Sequence, residues 1–186
     1  MPECLTGPAA EPLTLAEAKA FLRIDHDAED SLLAALITAA RQAIESASGR
    51  ILMTQTWRVT RDAWPVSGLI LAPLAPVRAV LAARVFSGTA FATLPLDLFT
   101  LRRDRAPALI GVDPARAPRP MRPLGGIELD LTLGYGATPA EVPADLIQAV
   151  RLLTAHLYEN RDGTSGAGRL PEPVEALLRP YRLVRL

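Results

Sequence analysis

The sequence predicts an α+β protein, built as a helical bundle from both chain ends with a β-rich subdomain inserted between them. Apolar residues recur at helical spacing near both ends, whereas the middle of the chain is rich in β-branched residues. Either helical part alone would leave an apolar stripe exposed to water, so we expect the two to pack together. The expected boundaries are 1–50 for the amino-terminal helical part, 51–135 for the β-rich subdomain and 136–186 for the carboxy-terminal helical part.

Capping residues mark the amino-terminal helices. Thr14 and Glu17 have the spacing of a capping box, which predicts a first, short helix. Asp27 is expected to cap a second helix, whose apolar residues, represented by Leu36, follow helical spacing. Gly49 is expected to end that helix, because glycine adopts the left-handed conformation found after helix ends.

The middle of the chain reads as a series of short strands. β-branched residues predict a strand in 51–62, and Ser87-Gly88 predicts a hairpin turn between two others. Alternation of apolar and polar residues over 127–133 predicts a half-buried strand. Further strands are expected within 68–77, 77–88, 89–94, 97–104 and 107–112.

The last third of the chain is predicted to be helical again. Pro143 suits the first turn of a helix. Val150 represents its apolar stripe, and Asp162-Gly163 is expected to stop it. The glycine-rich stretch 163–168 is expected to be flexible and to precede a short terminal helix with a basic, apolar tail.

The stretch "AHLYENRDG" at 155–163 combines side chains that can do chemistry. On a helix, His156 lies three residues from Glu159 and four from Asn160, so these side chains share a face. A Glu/His pair at this spacing ligates metal in helical bundles only with partners from other helices. The second histidine, His26, lies in an acidic loop, and no HExxH or CxxC motif accompanies it. We therefore expect a helix terminus here, without a metal.

Other catalytic patterns do not occur either. The sequence contains neither a G-x-S-x-G motif nor a Cys–His arrangement, and Cys4 is the single cysteine. "GTSGAG" and "LGGIELD" contain glycines but lack the lysine and the context of a phosphate-binding loop. We expect no catalytic residue, no cofactor and no enzymatic activity.

Charge is unevenly distributed in a chain whose net charge is zero. Residues 1–47 carry eight acidic and three basic residues, a formal charge of −5. Residues 102–122 carry six basic and two acidic residues, a formal charge of +4. This asymmetry suits head-to-tail association of copies or non-specific contact with nucleic acid, and it also suits ordinary solvated faces. The chain has neither a secretory signal pattern nor an apolar run that would span a bilayer, so we expect no membrane partner.

Several stretches, in this order and spacing, resemble tailed-phage head–tail connector proteins. These proteins, also called adaptors or DNA-packaging connectors, occur in phages, prophages and gene transfer agents. The resemblance begins with "LTLAEAKAFLRID", "DSLLAALITAARQAIESASGRIL" and "TQTW". It continues with "LAPLAPVRAV", "GYGATPAEVPADLIQAVRLLTAHLYENRDG" and "LPEPVEALLRPYR", whereas 93–123 follows no motif of the family.

The resemblance implies a non-enzymatic, typically dodecameric ring in the neck of a virion or phage-like particle. Such a ring sits under the portal protein, offers a docking surface to the next neck, stopper or tail protein, and lets double-stranded DNA pass through its centre. It implies assembly in the cytoplasm of the bacterial host. The rival classes are another neck or tail component, such as a stopper or terminator, and a small DNA-binding protein.

Two sets of residues are candidates for these contacts. The carboxy-terminal segment combines apolar anchors with arginines and is expected to dock on the portal. Its candidate residues are Leu177, Leu178, Arg179, Tyr181, Arg182, Leu183, Val184, Arg185 and Leu186. Basic residues of the middle segment or of the tail are expected to line or border the DNA passage through sequence-independent contacts. In the middle segment these residues are Arg102, Arg103, Arg105, Arg116, Arg119 and Arg122.

Overall fold

The computed structural model describes residues 2–161 and 169–182 of the chain. Its secondary structure is α+β, as predicted, and the chain divides into two compact units. The helical unit comprises Pro8–Met53 and Tyr135–Leu186, and the sheet unit comprises Met1–Gly7 and Thr54–Gly134. None of the helices in the described part of the chain has the length and apolar character needed to cross a bilayer.

Four α-helices make up the helical unit: α1 (Leu15–Leu22), α2 (Asp30–Ser48), α3 (Ala144–Glu159) and α4 (Glu172–Leu178). The predicted capping box is present, since the Thr14 side chain accepts from the Glu17 amide and the Glu17 side chain accepts from the Thr14 amide. Gly49 ends α2 with a φ of 70°, a conformation that costs other residues free energy. Local sequence therefore determines where α1 begins and where α2 ends.

One hydrophobic core is shared by these helices. Ile37 and Ile44 of α2 meet Leu146 and Val150 of α3, and all four side chains are buried. Leu178 of α4 completes the cluster. Segments from both chain ends thus bury their apolar faces against each other, which removes apolar surface from water.

Eight strands make up the sheet unit. In chain order they are β1 (Glu3–Thr6), β2 (Gln55–Arg61), β3 (Leu69–Leu71), β4 (Val77–Phe86), β5 (Phe91–Leu94), β6 (Phe99–Arg102), β7 (Leu109–Val112) and β8 (Ile127–Leu133). A five-stranded sheet has the order β1-β2-β8-β4-β5, and a three-stranded sheet has the order β3-β7-β6. All of these pairings are antiparallel. The predicted hairpin joins β4 to β5, with Phe86 opposite Phe91.

The central strand β8 buries a charge that its sequence pattern assigns to the polar face. Asp130 is only 6% exposed. Arg58 of β2 donates to it at 2.8 and 3.1 Å, and Arg84 of β4 donates at 2.7 Å. Burial alone would raise the pKa of Asp130, but these hydrogen bonds outweigh it and hold the pKa below 3.8. The arginines of both neighbouring strands therefore stabilise a buried carboxylate.

Three expectations about local structure are wrong. Residues 3–6, which are expected in the helical part, instead form β1, because they pair with β2 in the five-stranded sheet. Asp27 does not cap α2; it pairs with Lys19, and the cap position is occupied by Glu29 without a side-chain cap. Leu36 is half-buried, because the core-facing positions of α2 are those of Leu33 and Ile37. The expected stop at Asp162-Gly163 and the flexible stretch 163–168 lie outside the described residues.

Candidate functional site

The end of α3 carries the stretch that raised the question of a metal site. Asn160 caps this helix: its backbone amide and its side-chain amide both donate to the carbonyl of His156, at 3.0 and 2.8 Å. Glu159 is exposed. Among the described residues, no group of three or more His, Cys, Asp or Glu side chains lies close enough together to hold a metal ion. This observation covers only the described residues, so the expected lack of a metal role stays a prediction.

Tyr158 and Arg161 in the same stretch hold the end of α3 to the beginning of α2. The Tyr158 hydroxyl donates to the Glu29 carboxylate, and Arg161 pairs with the other oxygen of Glu29 at 2.8 Å. The guanidinium of Arg161 also lies over the Tyr158 ring, 4.3 Å from its centre. Hydrogen bonds lower the pKa of Glu29, and the bond from Tyr158 has a larger effect than the bond from Arg161. The hydrogen bond to the Glu29 carboxylate in turn raises the pKa of Tyr158. These contacts give the polar side chains a structural role in the helical unit.

The described part of the expected docking segment packs against its own unit. Leu178 is fully buried in the core, and Leu177 and Tyr181 are half-buried against it. The Tyr181 hydroxyl donates to Asp145 at 2.7 Å, and the Arg50 side chain donates to the Tyr181 carbonyl at 2.8 Å. Burial, together with the hydrogen bond to Asp145, raises the pKa of Tyr181 to about 12. Leu178 is therefore a core residue and is unavailable to a partner.

The expected docking segment also contains two arginines that the structure describes. Arg179 and Arg182 are exposed, and Arg182 lies 3.8 Å from Glu175 in a loose ion pair. The other candidates lie outside the described residues: Leu183, Val184, Arg185 and Leu186.

The six arginines expected to border the DNA passage fall into two groups. Arg102, Arg103 and Arg105 lie at the end of β6 and in the connection that follows it, and all three are exposed. Arg102 pairs with Asp104 at 2.9 Å, a contact that lowers the pKa of Asp104, and Arg103 donates to the Arg78 carbonyl at 3.2 Å. An exposed ion pair of this kind contributes little to stability.

The second group lies between β7 and β8. Arg116 and Arg119 are exposed, and Arg116 pairs with Asp97 at 3.2 Å. Arg122 is half-buried, with its guanidinium 4.7 Å from the centre of the Phe86 ring and 4.6 Å from that of Phe91. Arg122 therefore has a structural role in addition to the one expected from its charge.

A further surface was missed by sequence reasoning. A groove of about 590 Å³ in the sheet unit runs between the connection after β2 and the connection before β8. We call this surface the proline-rich rim. The groove is lined by Asp62, Ala63, Trp64, Pro65, Val66, Pro114, Arg119, Pro120, Arg122 and Pro123. The rim also includes the exposed Met121 and Leu124, which adjoin lining residues in the chain. The four prolines between 114 and 123, followed by Leu124, are the sequence feature that could have revealed it.

Comparison with known proteins relates this architecture to particle necks. Residues 12–81 match the family model of phage gp6-like head-tail connector proteins. A chain in the virion of the native gene transfer agent (GTA) particle is 32% identical, with a TM-score of 0.84, and the match covers 100% of this chain and 97% of that one. No curated protein sequence matches significantly.

Two further solved structures give the same relationship. A chain in the neck of the empty GTA particle, computed with C6 symmetry, is 34% identical with a TM-score of 0.83, covering 100% of this chain and 97% of that one. A chain in the neck of the native GTA particle, computed with C12 symmetry, is 32% identical with a TM-score of 0.71, covering 98% and 97%.

Proposed function

The chain belongs to the family of phage gp6-like head-tail connector proteins, and we propose that it forms a ring between the portal and the next neck or tail protein. It is a structural protein of the head–tail connection. The observation that carries the proposal is similarity over the whole length, since 32% identity extends across 97% of a GTA virion chain. In this proposal the chain assembles in the cytoplasm of a bacterial host and resides in the neck of a phage-like particle.

We propose that the ring contains twelve copies. The C12 symmetry of the neck that holds a similar chain supports this number, and C6 symmetry is compatible with it. A closed ring needs two different surfaces on each subunit, one for each neighbour. In this proposal, the helices from both chain ends form a bundle and the sheet unit is the inserted subdomain, as the shared core of α2, α3 and α4 supports.

Passage of double-stranded DNA through the ring is the second part of the proposal. The exposure of Arg102, Arg103 and Arg105 supports a role for them at the passage. Guanidinium groups contact phosphates irrespective of base sequence, which suits a channel through which a whole genome moves. A ring multiplies each such contact by the number of subunits.

The carboxy-terminal segment is the proposed portal-docking element, in a form revised by the burial of Leu178. Arg179 and Arg182 are exposed beside the anchored Tyr181, and residues 183–186 follow them. The hydrogen bonds of Tyr181 with Asp145 and Arg50 hold the base of the segment on the helical unit. Because the base of the segment is fixed, docking loses less conformational entropy.

Electron microscopy of the purified protein mixed with its portal tests the proposal. We expect a ring of density, twelvefold in symmetry, on the portal. A truncation after Arg182 should stay folded by circular dichroism and fail to join the portal. Leu178→Ala serves as the control that weakens the core without removing the segment. A full-length protein that leaves the portal bare would contradict the connector proposal, whereas a truncated protein that still docks would contradict only the role of the tail.

A further inference from the structure

The proline-rich rim presents apolar side chains to solvent to an unusual degree. Val66 is 102% exposed, Leu124 is 73% exposed and Met121 is 70% exposed. Val66 lines the groove together with Arg122 and Pro123. Met121 and Leu124 adjoin those two residues in the chain, and the Met121 side chain lies beside Gly88 in the β4–β5 turn. Clusters of exposed apolar residues mark interaction sites.

Hydrogen bonds and ring contacts hold the rim rigidly on the sheet unit. The Trp64 indole donates to the Pro118 carbonyl at 2.8 Å, and the Gly125 amide donates to Asp62 at 2.6 Å. The Met121 amide donates to the Phe86 carbonyl at 2.8 Å, next to the stacked Arg122. Prolines further restrict the backbone. A surface that is already ordered loses little entropy when it binds.

The two units of the chain carry opposite charge. The sheet unit holds ten basic and seven acidic residues, a formal charge of +3, and the helical unit holds ten basic and thirteen acidic residues, a formal charge of −3. In a ring, a contact between two sheet units would bring like charges together. A contact between the sheet unit of one copy and the helical unit of the next brings opposite charges together.

We propose that the proline-rich rim is one half of the contact between neighbouring subunits, with the acidic helical unit of the next copy as its occupant. This inference rests on the ring of the proposed function. Val66, Met121 and Leu124 supply the apolar part of the contact. The exposed Arg119 supplies a positive charge toward the acidic partner, so in this inference it lies at the subunit contact. The residues of the DNA passage remain Arg102, Arg103 and Arg105. An apolar centre with charges around it is the usual composition of a protein–protein interface.

DNA and the portal are the less suitable occupants. DNA is contacted mainly through phosphates, by charged and polar groups, whereas Val66, Met121 and Leu124 give the rim exposed apolar side chains. The portal-docking role is already assigned to the carboxy-terminal segment, which belongs to the other unit. A head-to-tail contact needs a second, different surface on each subunit, and the rim provides one.

Photo-crosslinking within assembled particles tests the inference. The photoreactive amino acid p-benzoylphenylalanine replaces Val66, and in the control it replaces Leu81, an exposed apolar residue of β4. After irradiation we expect a ladder of dimers and higher multimers from the Val66 position only. Mass spectrometry should find the crosslinked peptide within Pro8–Met53 or Tyr135–Leu186 of the second copy.

Other outcomes contradict either the inference or the function beneath it. A crosslink from Val66 to another protein, to DNA or to a neighbouring sheet unit overturns the rim contact, as does the absence of crosslinks in particles whose necks contain the protein. Absence of the protein from the necks contradicts the proposed function itself.

A charge variant gives a second, independent readout. Met121→Asp places a carboxylate opposite an acidic unit and removes an apolar anchor, and we expect incorporation into particle necks to fall at least about tenfold. Leu81→Asp should incorporate normally, and circular dichroism of both variants checks their folding. Normal incorporation of a folded Met121→Asp protein overturns the inference.

Discussion

Tyr158 donates a hydrogen bond to Glu29, 129 residues earlier in the chain, and thereby joins the end of α3 to the beginning of α2. Arg161 pairs with the same carboxylate, so one acidic side chain receives two contacts from the "YENR" stretch. The stretch that most resembles a reactive site therefore connects two helices of the helical unit.

Removing the hydroxyl of Tyr158 should lower stability. In Tyr158→Phe the ring still packs, but the hydrogen bond to Glu29 is lost. We expect a lower midpoint of thermal unfolding, measured by circular dichroism at neutral pH. Glu159→Gln is the control. Because Glu159 is exposed, this substitution should leave the unfolding midpoint unchanged. Equal midpoints for Tyr158→Phe and the wild type would mean that the contact is energetically neutral.

The face that α2 presents to the core is tested by two adjacent residues. Ile37 is 2% exposed, so Ile37→Ala should lower the free energy of unfolding by about 2–5 kcal/mol. Leu36 is half-buried and lies outside the core cluster, so Leu36→Ala should cost less than about 1 kcal/mol. Urea denaturation of both variants gives the comparison, and a reversed order would contradict the assigned face.

The buried carboxylate of Asp130 predicts a specific dependence on acid. The pKa of Asp130 is lower in the folded protein than its ordinary value of 3.8, so its charged form stabilises the fold above that pH. This stabilisation should be lost as the pH falls below 3.8 through the folded-state pKa. At neutral pH, Asp130→Asn should cost about 1–3 kcal/mol, because both arginines lose a charged partner.

The contribution of Asp130 is isolated by comparing the two proteins over a pH series. Denaturation of the wild type should show a larger loss of stability than that of Asp130→Asn between neutral pH and pH values below 3.8. Parallel pH profiles would mean that other carboxylates carry the acid sensitivity. Exposed Asp113→Asn serves as the matched control.

No metal dependence is expected for the His156 region. The double variant His156→Gln, Glu159→Gln should assemble into particles as the wild type does. Calorimetric titration of the wild type with zinc should detect no tight, stoichiometric binding. Tight binding that disappears in the double variant would establish a metal site and contradict this prediction.

The DNA passage predicts a dependence on salt without a dependence on sequence. Binding of the assembled ring to DNA should weaken as salt rises, to the same degree for unrelated sequences. Arg105→Gln removes one exposed charge from every subunit and should lower the slope of log affinity against log salt. Arg23→Gln, in the helical unit, should leave the slope unchanged. A strong preference for one DNA site would favour a regulatory DNA-binding protein instead.

Local sequence determined the ends of several elements and the class of the fold. The capping box of Thr14 and Glu17 and the left-handed Gly49 act within one helical turn, so their effect can be read without tertiary structure. The alternation in 127–133 likewise predicts β8, because side chains on a strand point alternately to its two faces. The order of the family motifs also pointed to a head–tail connector, and the comparisons confirm that relationship.

Only the tertiary structure decided which polar and apolar residues are covered. Asp130 reads as a solvent-facing strand residue, but Arg58 and Arg84 cover it from neighbouring strands that are distant in sequence. Leu178 reads as a free anchor, but it is buried among helices from both chain ends. Val66 and Pro123 lie far apart in sequence, yet both line one groove of the sheet unit. Sequence periodicity shows which face of a helix or strand is apolar. Burial depends on which distant segment covers that face, and that pairing is a property of the folded chain.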